Sequence, residues 1–282
     1  MKQTRKTMHF AFVVSSGLGY YIPNLFQADS SFSDFDEALQ SLKEHGFTGV
    51  ELNLAFDEER VLSRITELIN GHGLRLAAVG TGLIYAKNKL SFTELDSAKR
   101  ERALQIVKGL LRFASSERAV LVIGLVRGGP SGELEGASRL LRKALVECDR
   151  TAVEYGARIA LEAINRYETL LLNTAKDVTA VIEDERLNAT GLLLDTFHMN
   201  IEEASIEETV RKYVSKIMHF HIADSNRWPP GHGHLRVEQS LSTLEELGYD
   251  GWVSAETLPK PDNLSAVADT ARFLRTHKFI RA

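Results

Sequence analysis

Gly191-Leu-Leu-Leu-Asp-Thr-Phe-His-Met-Asn-Ile-Glu-Glu203 is the stretch of sequence that decides the fold. Its apolar run, Gly191 to Leu194, has no polar face, which is typical of a strand buried on both sides. The run leads into Asp195 and then His198, and Asn200 offers an N-cap for a following helix. A carboxylate and an imidazole therefore stand at the exit of a buried strand, the edge where α/β proteins bind ligands. A capping aspartate and a packed histidine are the simpler interpretation of the same pair.

The same order of strand and helix recurs along the whole chain. The predicted strands are residues 10–14, 49–54, 74–79, 119–124, 158–162, 191–195, 217–221 and 251–256. Helical patterns follow each of them, with no Pro-rich linker between units. Eight such units in 282 residues predict an α/β fold, a (β/α)8 TIM barrel. We expect one domain over residues 1–282, with residues 1–7 as a flexible tail.

Composition limits the classes of partner. A net charge of −4 gives no electrostatic reason to expect nucleic acid or an anionic membrane as the partner. The single cysteine, Cys148, excludes an internal disulfide and lies in a helical pattern where packing is its expected role. The apolar run at residues 9–14 is too short for a secretion signal or a membrane span. A cytoplasmic enzyme is expected.

Four consecutive strands end in side chains that bind metals. They are Glu162 on the fifth strand, Asp195 on the sixth, His221 on the seventh and Glu256 on the eighth. In this fold, active sites gather at the carboxyl ends of the strands, so these four should converge. Three carboxylates so close together would repel one another unless a cation or protons intervene. The set predicts a divalent metal, with Mn²⁺, Mg²⁺ or Co²⁺ suited to hard oxygens and Zn²⁺ left open.

The sequence segments around these residues resemble those of a known family of sugar enzymes. The segments are Leu161-Glu-Ala-Ile-Asn-Arg-Tyr-Glu168, Leu194-Asp-Thr-Phe-His-Met-Asn-Ile-Glu202, His219-Phe-His-Ile-Ala-Asp-Ser-Asn-Arg227 with the following Pro230-Gly-His-Gly233, and Ala255-Glu256. They closely resemble the ketose 3-epimerases, the D-tagatose and D-psicose 3-epimerase group of the xylose-isomerase-like barrels. The likeness is densest from Glu162 to Glu256, whereas the loops at 81–87 and 124–129 differ from that group.

This resemblance implies a role for each matched residue. It implies a metal, Mn²⁺ first, held by the four residues at the strand ends. It also implies a small sugar substrate whose hydroxyls contact Glu168, His198 and Arg227, and a solvated loop is the alternative place for Arg227. Epimerisation at C3 of a ketose removes a proton next to a carbonyl and returns it from the opposite face through a cis-enediolate. Glu162 and Glu256 flank the other two ligands along the barrel, so we expect them to transfer that proton.

Arg127 raises the question of a charged substrate. It stands among glycines after the fourth strand, where a guanidinium and backbone N–H groups could bind a phosphate or carboxylate. Pairing with Glu133 or Glu135 is the alternative. We expect a neutral ketose, because Glu168, His198 and Arg227 would bind hydroxyls.

Other polar residues receive weaker assignments. Glu51 is considered for substrate contact. His219 is expected to be structural, pointing away from His221 or into the barrel wall. His232 and His234 resemble a two-histidine metal clip but are assigned to a loop.

Several other functions stay open at this stage. An aldose–ketose or hydroxypyruvate-type isomerase, an inosose dehydratase or a sugar-phosphate epimerase would use the same site. An endonuclease IV-like DNA-repair nuclease is disfavoured, because the third and fourth strands end without the histidines of a three-zinc cluster. A non-catalytic sugar-binding barrel is disfavoured because both proton-transfer carboxylates are present. A homodimer or a homotetramer is left open.

Overall fold

Eight parallel strands close into a barrel, which confirms the predicted fold class. The structure is a computed structural model that describes residues 7–26, 30–129 and 134–281. The strands are β1 (His9–Ser15), β2 (Gly49–Asn53), β3 (Arg75–Gly80), β4 (Val120–Ile123), β5 (Arg158–Glu162), β6 (Thr190–Asp195), β7 (Ile217–Ile222) and β8 (Trp252–Ala255). Each strand pairs with the next along the chain, and β8 pairs with β1 to close the ring. A two-residue strand, Tyr20–Tyr21, pairs in parallel with the last two residues of β1. The tail expected at residues 1–7 lies outside the described residues except for Thr7.

Helices connect the strands and cover the outside of the barrel. They are α1 (Ser30–Glu44), α2 (Glu59–Gly71), α3 (Gly82–Ala86), α4 (Ser97–Ser116), α5 (Leu134–Tyr155), α6 (Ala175–Asp184), α7 (Thr196–Glu202), α8 (Ile206–Tyr213), α9 (Val237–Glu246) and α10 (Asn263–Thr276). Cys148 is buried in α5, as expected for a packing residue. None of the helices within the described ranges is both long and apolar enough to cross a membrane.

The helix after β6 begins earlier than the sequence predicts. Asp195 itself is the N-cap of α7, because its carboxylate accepts a hydrogen bond of 2.8 Å from the backbone N–H of Phe197. Asn200 therefore lies inside α7, and the prediction that it caps a helix is wrong. Ser205 caps α8, which is a separate short helix. Asp195 thus turns the chain directly from the strand into the helix and stays at the barrel mouth.

Alternation along the strands separates an inner core from an outer one. On β6, Leu192 and Leu194 join the large core between barrel and helices, while Leu193 joins a small core inside the barrel. The inner core consists of Ala78, Val120, Val122, Ala160 and Leu193, with Met218 packed against it. Side chains two residues apart share a face. The next inward positions after Ala160 and Leu193 are Glu162 and Asp195, so the pleat delivers both carboxylates above the inner core.

Candidate metal centre

The four residues predicted to bind a metal converge at the carboxyl end of the barrel. Glu162 ends β5, Asp195 ends β6, His221 lies near the end of β7 and Glu256 directly follows β8. One possible ligand atom from each lies within 4.8 Å of the others. His221 Nδ1 is 3.4 Å from Glu256 Oε2, 3.8 Å from Asp195 Oδ2 and 3.9 Å from Glu162 Oε1. Register explains part of this, because Asp195 and His221 are partners across β6 and β7.

Two atoms of this cluster have no hydrogen-bond partner in the described part of the chain. They are Asp195 Oδ2 and His221 Nδ1, and both are buried. A buried polar atom without a partner costs about 1–3 kcal/mol, so such atoms usually mark a missing partner. Both atoms face the same small space between the carboxylates. Three carboxylates and one imidazole fit a hard divalent cation, so the cluster could hold one.

Burial and neighbouring charges shift the pKa values of these groups in different directions. Burial, then the charges of Glu256 and Asp195, raise the pKa of Glu162 to about 8. Burial also raises the pKa of Asp195, although Arg227 and His221 oppose it. Burial acts on Glu256 in the same sense, but Arg227 and His221 outweigh it and lower the pKa of this carboxyl. Without a cation, protons therefore share the cluster with the carboxylates.

Glu51 orients the imidazole of the cluster from the opposite side. It is 1% exposed, and its Oε2 lies 3.1 Å from His221 Nε2 and 2.8 Å from His219 Nε2. Burial would lower the pKa of His221, but Glu51 and Glu256 outweigh it and raise that pKa well above its usual value. Because His221 Nε2–H donates to Glu51, its Nδ1 is directed at the carboxylate cluster. A carboxylate behind a histidine is the usual arrangement around metal ligands.

These contacts bear on two sequence expectations. Glu51 lines the cavity and its carboxylate is engaged by two imidazoles, and its contact with a substrate stays a prediction. The expectation that His219 points away from His221 or into the barrel wall is wrong. The two rings meet edge to face with centroids 5.0 Å apart, and both bind Glu51. His219 also contacts Ser254 Oγ at 3.0 Å.

Arg227, His198 and Glu168 border the cluster on the solvent side. Arg227 Nη2 donates to Glu256 Oε2 at 2.5 Å, and Nη1 lies 3.3 Å from Asp195 Oδ2. The Arg227 side chain is 9% exposed and its guanidinium stacks on Phe197, so it is not a solvated loop arginine. His198 Nε2 lies 3.6 Å from Glu162 Oε1, and Glu168 is more exposed than either. The structure thus brings all three to the cluster.

The cavity above the cluster has two chemically different halves. Its volume is about 170 Å³. The half from β5–β8 carries Glu162, Glu168, His198, His221, Arg227 and Glu256. The half from β1–β4 carries Ser15, Leu18, Glu51, Asn53, Thr81, Leu83, Ala86 and Leu125. The hydroxyls of Ser15 and Thr81 already donate to backbone carbonyls and Glu51 binds two imidazoles, so apart from Asn53 this second half offers mainly apolar contact.

Arg127 does not reach this cavity, and its interpretation as an anion-binding residue is wrong. It is completely buried. Its guanidinium donates to the carbonyls of Gly124, Ile123, Leu171, Leu172 and Glu162. Burial lowers its pKa to about 10. Arg127 therefore ties β4, β5 and the loop after β5 together.

The remaining candidates from the sequence are two acids near Arg127 and two histidines after β7. Glu133 lies outside the described residues, and Glu135 pairs with Arg139 at the surface. His232 Nε2 lies 2.8 Å from Asp269 Oδ2, and His234 Nδ1 lies 3.0 Å from Ser225 Oγ. These two histidines hold the loop after β7, in agreement with their loop assignment.

Comparisons with known proteins identify the family of this chain and agree with its fold. A family profile described as "Xylose isomerase-like TIM barrel" matches residues 39–277. The chain is similar to an L-ribulose 3-epimerase of Mesorhizobium japonicum, with 30% identity over 83% of this chain and 78% of that protein. It is also similar to a Streptomyces coelicolor protein assigned as a hydroxypyruvate isomerase, with 34% identity over 77% of this chain and 83% of that protein. Among solved structures, a D-psicose 3-epimerase from Clostridium cellulolyticum with D-tagatose superposes with a TM-score of 0.79 at 21% identity, covering 97% of this chain and 99% of that one.

Proposed function

Since this chain belongs to the xylose isomerase-like TIM-barrel family, we propose that it is a metal-dependent ketose 3-epimerase. The observation that carries the proposal is the pair Glu162 and Glu256. Both line the cavity, and both belong to a buried cluster that also contains Asp195 and His221. Relatives named as 3-epimerases of L-ribulose and of D-psicose support the same reaction.

We assign the metal to Glu162, Asp195, His221 and Glu256, with Mn²⁺ as the expected ion. When bound, the metal polarises the substrate carbonyl and stabilises negative charge on its oxygens, an effect of several kcal/mol. Asp195 Oδ2 and His221 Nδ1, which have no hydrogen-bond partner among the described residues, support this assignment. Glu51 keeps His221 Nδ1 directed at the cluster through its bond to Nε2.

Glu162 and Glu256 transfer the proton in this proposal. They come from the two ends of a four-strand arc, β5 and β8, so a carbon held between them presents opposite faces to the two carboxylates. One glutamate removes the proton at C3 and the other returns it on the opposite face. A well-placed base or acid contributes about 10²–10⁴-fold to such a step. Arg227, 2.5 Å from Glu256, offsets the charge that develops on the substrate oxygens.

Glu168, His198 and Arg227 bind the sugar hydroxyls in this proposal, and the substrate is a neutral ketose. Among the described residues that line the cavity, Arg227 is the one arginine or lysine. It is already paired with Glu256 and Asp195. Arg127, the other candidate for a phosphate, is occupied by backbone carbonyls. A sugar phosphate would therefore lack a free cation to pair with in the described cavity.

A hydroxypyruvate-type isomerase is the second candidate, supported by the Streptomyces coelicolor relative. Acting on a ketose, such an isomerase would move a proton between C1 and C2, whereas an epimerase exchanges the proton at C3. The two reactions thus place a solvent label on different carbons.

The experiment incubates the Mn²⁺-loaded protein with free and phosphorylated ketoses in D₂O and locates the deuterium by NMR. We expect deuterium at C3 together with the C3 epimer of a free ketose, while label at C1 or C2 alone would favour the isomerase. The variants Glu162→Gln and Glu256→Gln each keep an oxygen but cannot shuttle a proton, so both should lose at least about 100-fold in kcat. An exposed glutamate replaced in the same way, Glu154→Gln, is the matched control. Near-normal epimerisation by either site variant would disprove the two-base mechanism.

A further inference from the structure

Asn165 lies beside the cavity without lining it, yet it contacts two of the residues that border the cavity. It follows β5 and is 1% exposed. The backbone N–H of Tyr167 donates to its Oδ1 at 2.9 Å, which fixes the oxygen side of the amide. The two hydrogens on Nδ2 are therefore directed elsewhere. One is donated to Glu168 Oε1 at 2.8 Å and the other to His198 Nδ1 at 2.7 Å.

This contact determines which nitrogen of His198 carries hydrogen. A neutral imidazole has one N–H, and the nitrogen that accepts a hydrogen bond must be the one without it. His198 Nδ1 accepts from Asn165, so the hydrogen belongs on Nε2. His198 is 3% exposed, and a ring whose Nδ1 accepts a hydrogen bond carries a single hydrogen, so the neutral form is the relevant one.

The Nε2–H of His198 is then available to a ligand. Its nearest carboxylate oxygen, Glu162 Oε1, is 3.6 Å away, which is too long for a hydrogen bond. Arg227 Nη1 is also a donor directed at Nε2, but its 3.4 Å contact is much longer than the 2.7 Å contact of Asn165 with Nδ1, so the Asn165 contact decides which nitrogen accepts. His198 lines the cavity, so an oxygen atom entering there could accept from Nε2.

We propose that Asn165 is a positioning residue that fixes His198 as the Nε2–H tautomer and holds Glu168 as an acceptor beside it. One buried amide thereby sets one donor and one acceptor at the cavity rim, a pair that matches a sugar hydroxyl. The tautomer follows from the protein alone, whereas the hydroxyl contact rests on the proposed function.

The isosteric variant Asn165→Asp reverses the contact. A carboxylate still accepts from Tyr167 N–H but can no longer donate to Nδ1, so His198 should move its hydrogen to Nδ1 or become protonated. Asn165→Ala removes both donors and should leave a mixture of tautomers. Asn70→Asp, an exposed position on α2, makes the same change of charge away from the site and is the control.

The measurement is ¹⁵N NMR of histidine-labelled, metal-free protein, with the His198 signals identified by their loss in His198→Gln. In the native protein we expect a protonated Nε2 and an unprotonated Nδ1. In Asn165→Asp we expect the reverse or a doubly protonated ring. A native His198 protonated at Nδ1 would overturn the proposal even if neither variant folds. An unchanged tautomer in a folded Asn165→Asp protein would overturn it as well.

Kinetics separate this inference from the proposed function. In an active ketose epimerase, Asn165→Asp should raise KM for the ketose by about ten-fold, the effect of about 1.4 kcal/mol, with a smaller change in kcat. If no ketose reacts but the native tautomer is Nε2–H, the proposed function fails and the tautomer assignment stands. If epimerisation is normal and His198 is protonated at Nδ1, the assignment fails and the function stands.

Discussion

Replacing Glu51 by Gln tests whether the metal centre depends on a residue that does not belong to its four proposed ligands. The side chain keeps its shape but loses the charge that faces His221 Nε2 at 3.1 Å. A hydrogen bond to a charged group contributes about 1.5–3 kcal/mol, and a neutral one about 1 kcal/mol. The difference of about 1–2 kcal/mol corresponds to roughly five- to thirty-fold weaker metal binding. Loss of such a partner behind a metal-binding histidine typically costs about 10–100-fold, which agrees.

Isothermal titration of Mn²⁺ into the metal-free protein measures this effect directly. Asp195→Ala removes a proposed ligand and should abolish binding, whereas Glu245→Gln at an exposed position of α9 should leave it unchanged. An affinity of Glu51→Gln within about two-fold of the native value would refute the reasoning. It would mean that the Glu51 carboxylate does not orient or polarise His221.

The pH dependence of metal binding provides a second test of the Glu51→Gln variant. Glu51 helps to raise the pKa of His221, so protons compete with the metal for this imidazole. Without that carboxylate the pKa of His221 falls. Binding by Glu51→Gln should therefore be weaker than native at alkaline pH but persist to lower pH. A midpoint of metal loss that moves to higher pH would contradict the expected sign.

The other predictions concern stability. Burial raises the pKa of Glu162 from 4.5 to about 8, so the folded metal-free protein binds more protons than the unfolded chain in this range. The melting temperature of the metal-free protein should therefore fall as pH rises from about 4.5 to about 8, and Glu162→Gln should reduce that slope; a native profile without the fall would contradict it. Arg127→Met leaves several buried carbonyls without a donor, at about 1–3 kcal/mol each, and should lower the free energy of unfolding by about 3 kcal/mol or more. The ratio of kcat/KM for free and phosphorylated ketoses should stay the same, and a shift of that ratio in a stably folded variant would show that Arg127 senses the substrate.

The barrel and the convergence of the cluster follow from local patterns in the sequence. An uninterrupted apolar run predicts a buried strand such as β6. Its last residue, Asp195, must then lie at the barrel mouth. The same reasoning places Glu162, His221 and Glu256. It depends only on where each strand ends and on the rule that consecutive strands are neighbours. The family resemblance added the expected roles of individual residues.

What the sequence could not predict depends on contacts between distant residues. Glu51 meets His219 and His221 across 168 and 170 residues of chain, and no local pattern announces such a partner. The prediction that Arg127 could bind an anion was wrong because glycines around a cation are typical of an exposed loop. Here the guanidinium folds back onto carbonyls of its own turn and of the loop after β5. Asn165 lay inside a recognised motif, but its contact with His198 becomes visible only when β5 and β6 are side by side.

The division of the cavity between the two halves of the chain has a consequence for how such a protein changes over generations. The proposed metal ligands and proton-transfer residues are encoded after residue 157, in β5–β8, while β1–β4 supply Glu51 behind His221 and an opposite wall that is otherwise mainly apolar. Selection for a different sugar can then act on the first half of the gene without disturbing the proposed metal centre, provided that Glu51 is retained. Chimaeras that take the N-terminal half-barrel from a relative with a glutamate at the position of Glu51 should inherit its sugar preference at an undiminished intrinsic reactivity. Apart from Glu51, the residues that adapt to a new sugar and the residues that must be kept would thus lie in separate stretches of one reading frame.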